Sequence, residues 1–168
     1  KYKQFFFGRK YQRPPLEINI YKCTRALWRT FERHHYLNRS LSTKSQNYIA
    51  IIYGQPAAFI AVIQYPHPII KNLKKIHRLV VLPDFQGIGL GKILLDKISM
   101  LYALKKNKVM ITTSHPAMRK LLNRASNWKI NRTGRIKPNR GNAKKTLNRS
   151  ISSKRITSSY EFLPGGSE

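Results

Sequence analysis

The stretch LPDFQGIGLGK, Leu82 to Lys92, constrains the fold more than any other part of the 168-residue chain. Gly87, Gly89 and Gly91 follow closely on the apolar run Leu79-Val80-Val81-Leu82. After them Leu90, Leu94, Ile98 and Leu101 recur at helical spacing. A buried strand, a glycine turn and an amphipathic helix are therefore expected in that order. Alternating glycines let a ligand approach the backbone closely, and the N–H groups of a starting helix point at it, so the loop suits an anion. Lys92 adds a charge beside it. The spacing narrows which anion. A dinucleotide fingerprint needs G-x-G-x-x-G, and here the third glycine falls one residue early. A P-loop needs G-x-x-x-x-G-K-[ST], but residue 86 is Gln and Lys92 is followed by Ile93. Both NAD and ATP fit poorly.

The rest of the chain frames this loop. Residues 1–15 are basic and aromatic, end in Pro14-Pro15, and read as an arm ahead of one domain at 16–168. Glu17–Cys23 alternates like a strand, and Thr24 is placed to cap a helix running to about Leu37. Tyr48–Tyr53 and Ala57–Tyr65 flank Gly54-Gln55-Pro56 and read as a hairpin. Ile76–Leu82 is a further strand and Gly89–Lys106 a helix. Val109–Ser114 follows as a strand, Pro116–Ala125 as a helix with Pro in its first turn, and Ile156–Leu163 as the last strand. Residues 129–154 are basic and poorly patterned, and read as a long surface hairpin or loop. The order β-α-β-β-β-α-β-α-β predicts an α/β (α+β) fold. It would have a central mixed sheet of six to seven strands and helices on both faces.

Charge points to the partner. The formal net charge is +27, from 33 Lys and Arg against six acids. Thirteen basic side chains lie between Arg119 and Arg155, and no acid occurs between Asp96 and Glu161. Self-repulsion on this scale is relieved by a polyanion, and nucleic acid is the usual one. Arg119, Lys120, Arg124, Arg132, Arg135, Lys137, Arg140, Lys144 and Lys145 are the candidate contacts. Tyr2, Phe5-Phe6-Phe7 and Tyr11 in the arm could stack on exposed bases. A generally sticky basic surface is the plainer alternative. No apolar run reaches the roughly 20 residues needed to span a bilayer, and no signal peptide is visible. The single Cys23 fits a reducing compartment, and a cytoplasmic location is expected. The chain begins with Lys1 rather than Met, which fits a piece of a longer protein.

Gln86-Gly87-Ile88-Gly89-Leu90-Gly91 resembles the Q/R-x-x-G-x-G/A motif of the GNAT acyltransferases, and RLVVLPDF looks like that family's fourth strand and its lead-in. The resemblance covers roughly Glu17 to Leu163. It implies acetyl-CoA or another acyl-CoA as donor, with Gln86 to Lys92 on the pyrophosphate. The backbone of Leu79, Val80, Val81 and Leu82 would hold the pantetheine arm, and Val109–Ser114 would form the other wall of the slot. Two family features are missing. Lys75, beside Lys74, stands where many members place a glutamate base. Leu121 or Leu122 stands where many place a tyrosine acid, and Trp128 where a Gly-Phe pair commonly ends that helix.

Other groups must then do the chemistry. In FERHHYLN, Glu32, His35 and Tyr36 fall at i, i+3 and i+4, one face of the expected helix. A carboxylate, an imidazole and a phenol suit base, acid and orienting roles, and Glu-x-x-His also occurs in carboxylate iron sites. An ordinary half-exposed helix face is the plain alternative. With Arg78 on the fourth strand, Glu-x-x-His-Tyr resembles the phage Mom-type DNA-modification branch of the GNAT fold. A related group is fused to ABC-type ATPase domains. That resemblance implies adenine in DNA as substrate and iron as a further cofactor. Glu32, His35, Tyr36 and Arg78 would line the site, with Thr113 or Ser114 facing them. His77 and Arg78 alternate on their strand, so only one is expected to face the cleft; the residues do not choose, and the resemblance favours Arg78. His115, at the strand end, is a further polar candidate; His34 and His67 read as surface residues.

Three functions follow. The first is an acyl-CoA-dependent enzyme acting on nucleic acid, DNA rather than tRNA. The second is a GNAT enzyme acylating a protein or an aminoacyl-tRNA, of the toxin or antidefence type. The third is a non-catalytic nucleic-acid-binding module on the same fold. The missing base and acid favour the third, and the intact glycine loop opposes it. The acyl group and the oligomeric state leave no trace in the sequence.

Overall fold

The computed structural model describes residues 16–35, 40–135 and 156–165. The arm at 1–15, Tyr36, and the basic residues Lys137, Arg140, Lys144 and Lys145 lie outside the described residues. Among the described residues seven strands are present: β1 (Asn19–Cys23), β2 (Gln46–Ile52), β3 (Gln55–Gln64), β4 (Leu73–Val81), β5 (Lys108–Thr113), β6 (Trp128–Arg135) and β7 (Ile156–Phe162). They form one sheet in the order β1-β2-β3-β4-β5-β7-β6. Only β4 and β5 pair in parallel; every other neighbour is antiparallel. The mixed sheet is the one expected from the order of elements.

Among the described residues three α-helices cover it: α1 (Trp28–Phe31), α2 (Leu90–Leu104) and α3 (Pro116–Arg124). Alternation along β3 divides the core in two. Ala58, Ile60 and Val62 pack with Leu90, Leu94, Leu95 and Ile98 of α2 and Leu122 of α3. Phe59 and Ala61, on the opposite face, pack with Trp28 and Phe31 of α1 and with Val80. Helices therefore lie on both faces, and β3 is buried from both sides, as its unbroken apolar run requires.

One expectation is corrected and one is narrowed. The first helix does not run from Thr24 to Leu37. Arg25–Leu27 is a 3-10 turn, α1 is four residues long, and Glu32–His34 is a second 3-10 turn that ends with His35 in extended backbone. A helix this short has little stability of its own and is held by packing, here Trp28 and Phe31 against Phe59. Beyond Phe31 the residues Glu32-Arg33-His34 contribute no buried side chain to extend it. The narrowed one is β6. In the segment expected as a surface hairpin or loop, residues 128–135 are a strand paired antiparallel with β7. As an edge strand it needs few apolar residues: Trp128 is buried, while Ile130 is 47% exposed.

Candidate functional site

Strand β4 leaves its neighbour partway along. Leu73 to Ile76 pair with Lys108 to Ile111 of β5, and the ladder stops there. Above Ile76, β5 pairs only with β7, through Thr113. A wedge-shaped cleft of about 530 Å³ opens between the parted strands.

The parting coincides with a bulge. Across from β4, Ala61 pairs with Arg78 but Val62 pairs with Ile76, so His77 is the extra residue. A bulge bends its strand and resets the side-chain alternation. Ile76, Leu79 and Val81 consequently share the α2 face, although Ile76 is an odd number of residues from Leu79. The bulge also overturns the expectation that only one of His77 and Arg78 faces the cleft. Both line it, and both reach the same loop beyond α1. The Ser42 N–H donates to His77 Nε2 at 3.3 Å, and Arg78 Nη2 donates to the Ser40 carbonyl at 2.8 Å. Arg78 Nη1 donates to the His77 carbonyl at 2.9 Å.

The glycine loop closes the other end. Gly87 and Gly89 have φ of +82° and +85°, in the left-handed region that glycine tolerates best. Gly89 is the N-cap of α2. Gly91 serves close approach instead: a Cβ there would lie 3.3 Å from Val81 Cγ2 and 3.8 Å from Met118 Cε. Among the described residues, the N–H groups of Gly87, Ile88 and Gly89 donate to no protein acceptor. Those of Leu90 and Gly91 lie in the first helical turn, where no intrahelical carbonyl is in reach. Five amides therefore cluster at the positive end of a 15-residue helix, an anion cradle of backbone alone. Ile88 is half-buried and packs on the core. Lys92 does not supply a free charge. Its ammonium binds the Asp96 carboxylate and, at 3.2 Å, Asn127 Oδ1, while Trp128 Nε1 donates to the same carboxylate at 2.7 Å.

Strand β4 also offers its backbone to the cleft. The Leu82 N–H donates to the Ala57 carbonyl on the β3 side at 2.9 Å. Alternation then directs the backbone groups of Leu79 and Val81 the other way, into the cleft, and those of Val80 towards β3. Gln86 Nε2 donates to the Val81 carbonyl at 3.0 Å and ties loop to strand.

At the far end lie His34, His35, His77 and Arg78. Burial, then the charges of Arg78, His35 and Lys75, push the His77 ring down to about 4, so it is neutral at pH 7. Because Nε2 accepts from Ser42, the ring proton sits on Nδ1. His35 packs edge-on against Trp28, with ring centroids 5.9 Å apart. Glu32 does not line the cleft. With the helix ended at His34, Glu32 and His35 do not share a helix face, and Tyr36 lies outside the described residues. Among the described residues no group of three His, Cys, Asp or Glu is arranged to hold a metal ion.

On the β5 wall, Thr112, Thr113 and His115 line the cleft, and Ser114 does not. Thr113 Oγ1 accepts from the His115 N–H at 3.1 Å, and His115 Nδ1 caps α3 by accepting from the Met118 N–H at 3.4 Å. Lys75 lies under the Tyr65 ring, 4.7 Å from its centroid, and burial lowers its pKa. Leu121 lines the cleft and Leu122 is fully buried. Of the basic candidates, Arg119 is half-buried and donates from Nε to Ser158 Oγ at 3.0 Å, whereas Lys120, Arg124 and Arg132 are exposed. Arg135 ends β6. Cys23 lies apart from the cleft, its thiol pushed up to about 11 by burial.

Sequence reasoning offered His77 only as the alternative to Arg78, and did not single out Thr112 or the contacts made by the loop at Ser40–Ser42. One signal was present. The α2-facing apolar residues of β4 run Ile76, Leu79, Val81, a gap of three where an unbroken strand has two.

Among the described residues no helix is long and apolar enough to cross a membrane. A family model for the acetyltransferase (GNAT) domain matches residues 43–143, more than half of the chain. No curated protein matches the sequence significantly. Solved structures match the fold. The ribosomal-protein-S18-alanine N-acetyltransferase from Escherichia coli superposes with a TM-score of 0.63 at 14% identity, over 90% of this chain and 96% of that one. The IAA acetyltransferase from Bacillus cereus gives 0.61 at 14% identity, over 87% and 99%. A GNAT family acetyltransferase from Elizabethkingia anophelis, solved with acetyl-CoA bound, gives 0.57 at 14%, over 87% and 97%. A parted β4–β5 pair above a glycine loop and the family match over that region agree: the chain belongs to the GNAT acetyltransferase family and is an acyltransferase of that type.

Proposed function

We propose that the chain is an acyl-CoA-dependent N-acyltransferase acting on nucleic acid. The observation that carries the donor half is the cradle of backbone N–H groups at Gly87–Gly91, placed where β4 and β5 part. The fit to acyl-CoA is physical. An anionic pyrophosphate needs converging N–H donors and a positive helix end, and the loop has both. A long, amide-bearing arm needs an open strand edge, and Leu79 and Val81 present one. Gly91 keeps clear the space between the Val81 and Met118 side chains, both of which line the cleft. Acyl-CoA supplies an acyl group activated as a thioester. The chain's residues hold it, exclude water with Leu79, Val81 and Leu121, and offer β4 N–H groups to the carbonyl oxygen as charge develops.

The acceptor half of the proposal rests on charge. A net +27 with exposed Lys120, Arg124, Lys129 and Arg132 on α3 and β6 favours a polyanion. A paired base would have to leave the helix to reach the cleft. Modification of adenine in DNA, the finer reading carried by the Mom-type resemblance, keeps His35 and Arg78 in the cleft but loses the shared helix face.

Two measurements test the proposal. Acetyl-CoA should raise the melting temperature of the purified chain; no shift with acetyl-CoA or other acyl-CoAs removes the donor half. Binding to a DNA oligonucleotide should weaken steeply with salt, and salt-independent binding removes the acceptor half.

A further inference from the structure

The two ends of the cleft share a sign. The glycine end presents N–H groups and a helix N-terminus. The acceptor end presents Arg78 with His34, His35 and His77, and Lys75 is near enough to His77 to depress its ring. The described lining contains no carboxylate at all. The whole sequence has only six acids, and five lie in the described residues. Asp96 is held by Lys92 and Trp128; Glu161 pairs with Lys108 and Asn131; Glu17 accepts from Asn19. Asp84 sits in the short turn ahead of the glycine loop, and Glu32 is off the lining.

An acceptor bearing an alkyl ammonium meets two obstacles here. Its charge is repelled by Arg78, with no carboxylate in the lining to offset the repulsion. It must also give up a proton before its nitrogen can attack, and three of the four imidazoles lining the cleft already accept a hydrogen bond. His77 Nε2 accepts from Ser42, His34 Nε2 accepts from Arg33 Nε at 3.0 Å, and His115 Nδ1 accepts from Met118. A phosphate meets neither obstacle. Arg78 is half-buried in the wall and braced by the carbonyls of His77 and Ser40, which fixes its guanidinium at the cleft.

We propose that the acceptor end seats a phosphate on Arg78 and admits a nitrogen that is already uncharged at neutral pH, a weakly basic amine of the nucleobase kind. This rests on the acyl-CoA reading and names the acceptor class for the same site. The step balances without an outside base. The nitrogen lone pair forms the N–C bond at the thioester carbonyl, the C–S bond breaks, and the proton released by nitrogen ends on the departing sulfur. An amide and a free thiol result.

The full chain is tested with acetyl-CoA and four acceptors: a short single-stranded oligonucleotide, the corresponding nucleosides, a peptide with free α- and lysine amines, and its phosphoserine form. Acetylation is read by mass spectrometry from pH 6 to 9. The oligonucleotide should react at least about tenfold faster than the nucleosides, from one lost charge-assisted contact. Both peptides should trail it, and its rate should stay flat with pH. Arg78→Gln should raise KM for the oligonucleotide about tenfold and so remove most of its advantage over the nucleosides. If a peptide is the best acceptor, with a rate climbing as its ammonium deprotonates, the proposal is overturned while the acyltransferase reading stands. If no acceptor is acetylated although acetyl-CoA binds, the proposal is likewise overturned. If acetyl-CoA does not bind, the underlying reading falls with it.

Discussion

The donor side of the cleft is framed by a 15-residue helix and a nine-residue strand; the acceptor side hangs on a four-residue helix and a loop. The donor side packs into the larger core, with Leu90, Leu94 and Leu95 fully buried beneath the glycine turn. The acceptor side rests on the smaller cluster of Trp28, Phe31, Leu41, Ile49, Phe59, Ala61 and Val80. In the proposed reading one side binds a fixed chemical group with backbone amides, which any sequence supplies once the glycines permit the shape. The other positions side chains, and those depend on a few aromatic contacts. The difference suits a fold that keeps one donor while varying its acceptors.

The largest effects should come from breaking each side at its support. Gly91→Leu adds a side chain where a Cβ alone would lie 3.3 Å from Val81. Acetyl-CoA affinity should fall at least about 100-fold, as expected from blocking a close backbone approach worth several charge-assisted hydrogen bonds, while circular dichroism stays native. Phe59→Ala acts on the acceptor side. Its ring is fully buried, 5.2 Å from Trp28 and 5.4 Å from Phe31. The cost should be about 3–5 kcal/mol in a denaturant titration, a large share of a domain's stability. Equal losses of acetyl-CoA binding in both variants would erase the distinction between the sides.

A smaller effect sharpens it. The His77 ring is pushed from 6.5 to about 4 by burial and by Arg78, His35 and Lys75. The unfolded chain takes up that proton near pH 6.5 and the folded chain only near 4, so folding is penalised progressively as pH falls through that window. The melting temperature should therefore drop between pH 6.5 and 4, with no such component above it. His77→Gln keeps an acceptor for the Ser42 N–H and removes the titration, and should flatten that part of the curve. An unchanged slope would mean that His77 is not the group responsible.

The donor side was legible in the sequence because its signals are local. Three glycines at fixed spacing, an apolar run before them and a helical stripe after them define strand, turn and helix without tertiary information. The acceptor side was not, for two physical reasons. The expected helix face of Glu32, His35 and Tyr36 assumed that periodicity continues past Phe31, but α1 exists only as far as Phe59 holds it. The choice between His77 and Arg78 assumed an unbroken alternation, and one inserted residue cancels that rule. Edge strand β6 was left between hairpin and loop because a half-exposed strand with two apolar residues carries almost no pattern. The charge of the chain was legible throughout, but its consequence in the cleft depended on where each of the few acids folds.

Hydrogen exchange of the full chain with and without acetyl-CoA tests the central claim most directly. The amides of Gly87, Ile88 and Gly89 donate to no acceptor among the described residues, and those of Leu79 and Val81 face the cleft. Saturating acetyl-CoA should slow exchange across residues 79–91 and leave β1 and β2 unchanged. Protection confined to other parts of the chain, or none at all, would contradict the assignment of this cleft to the acyl donor.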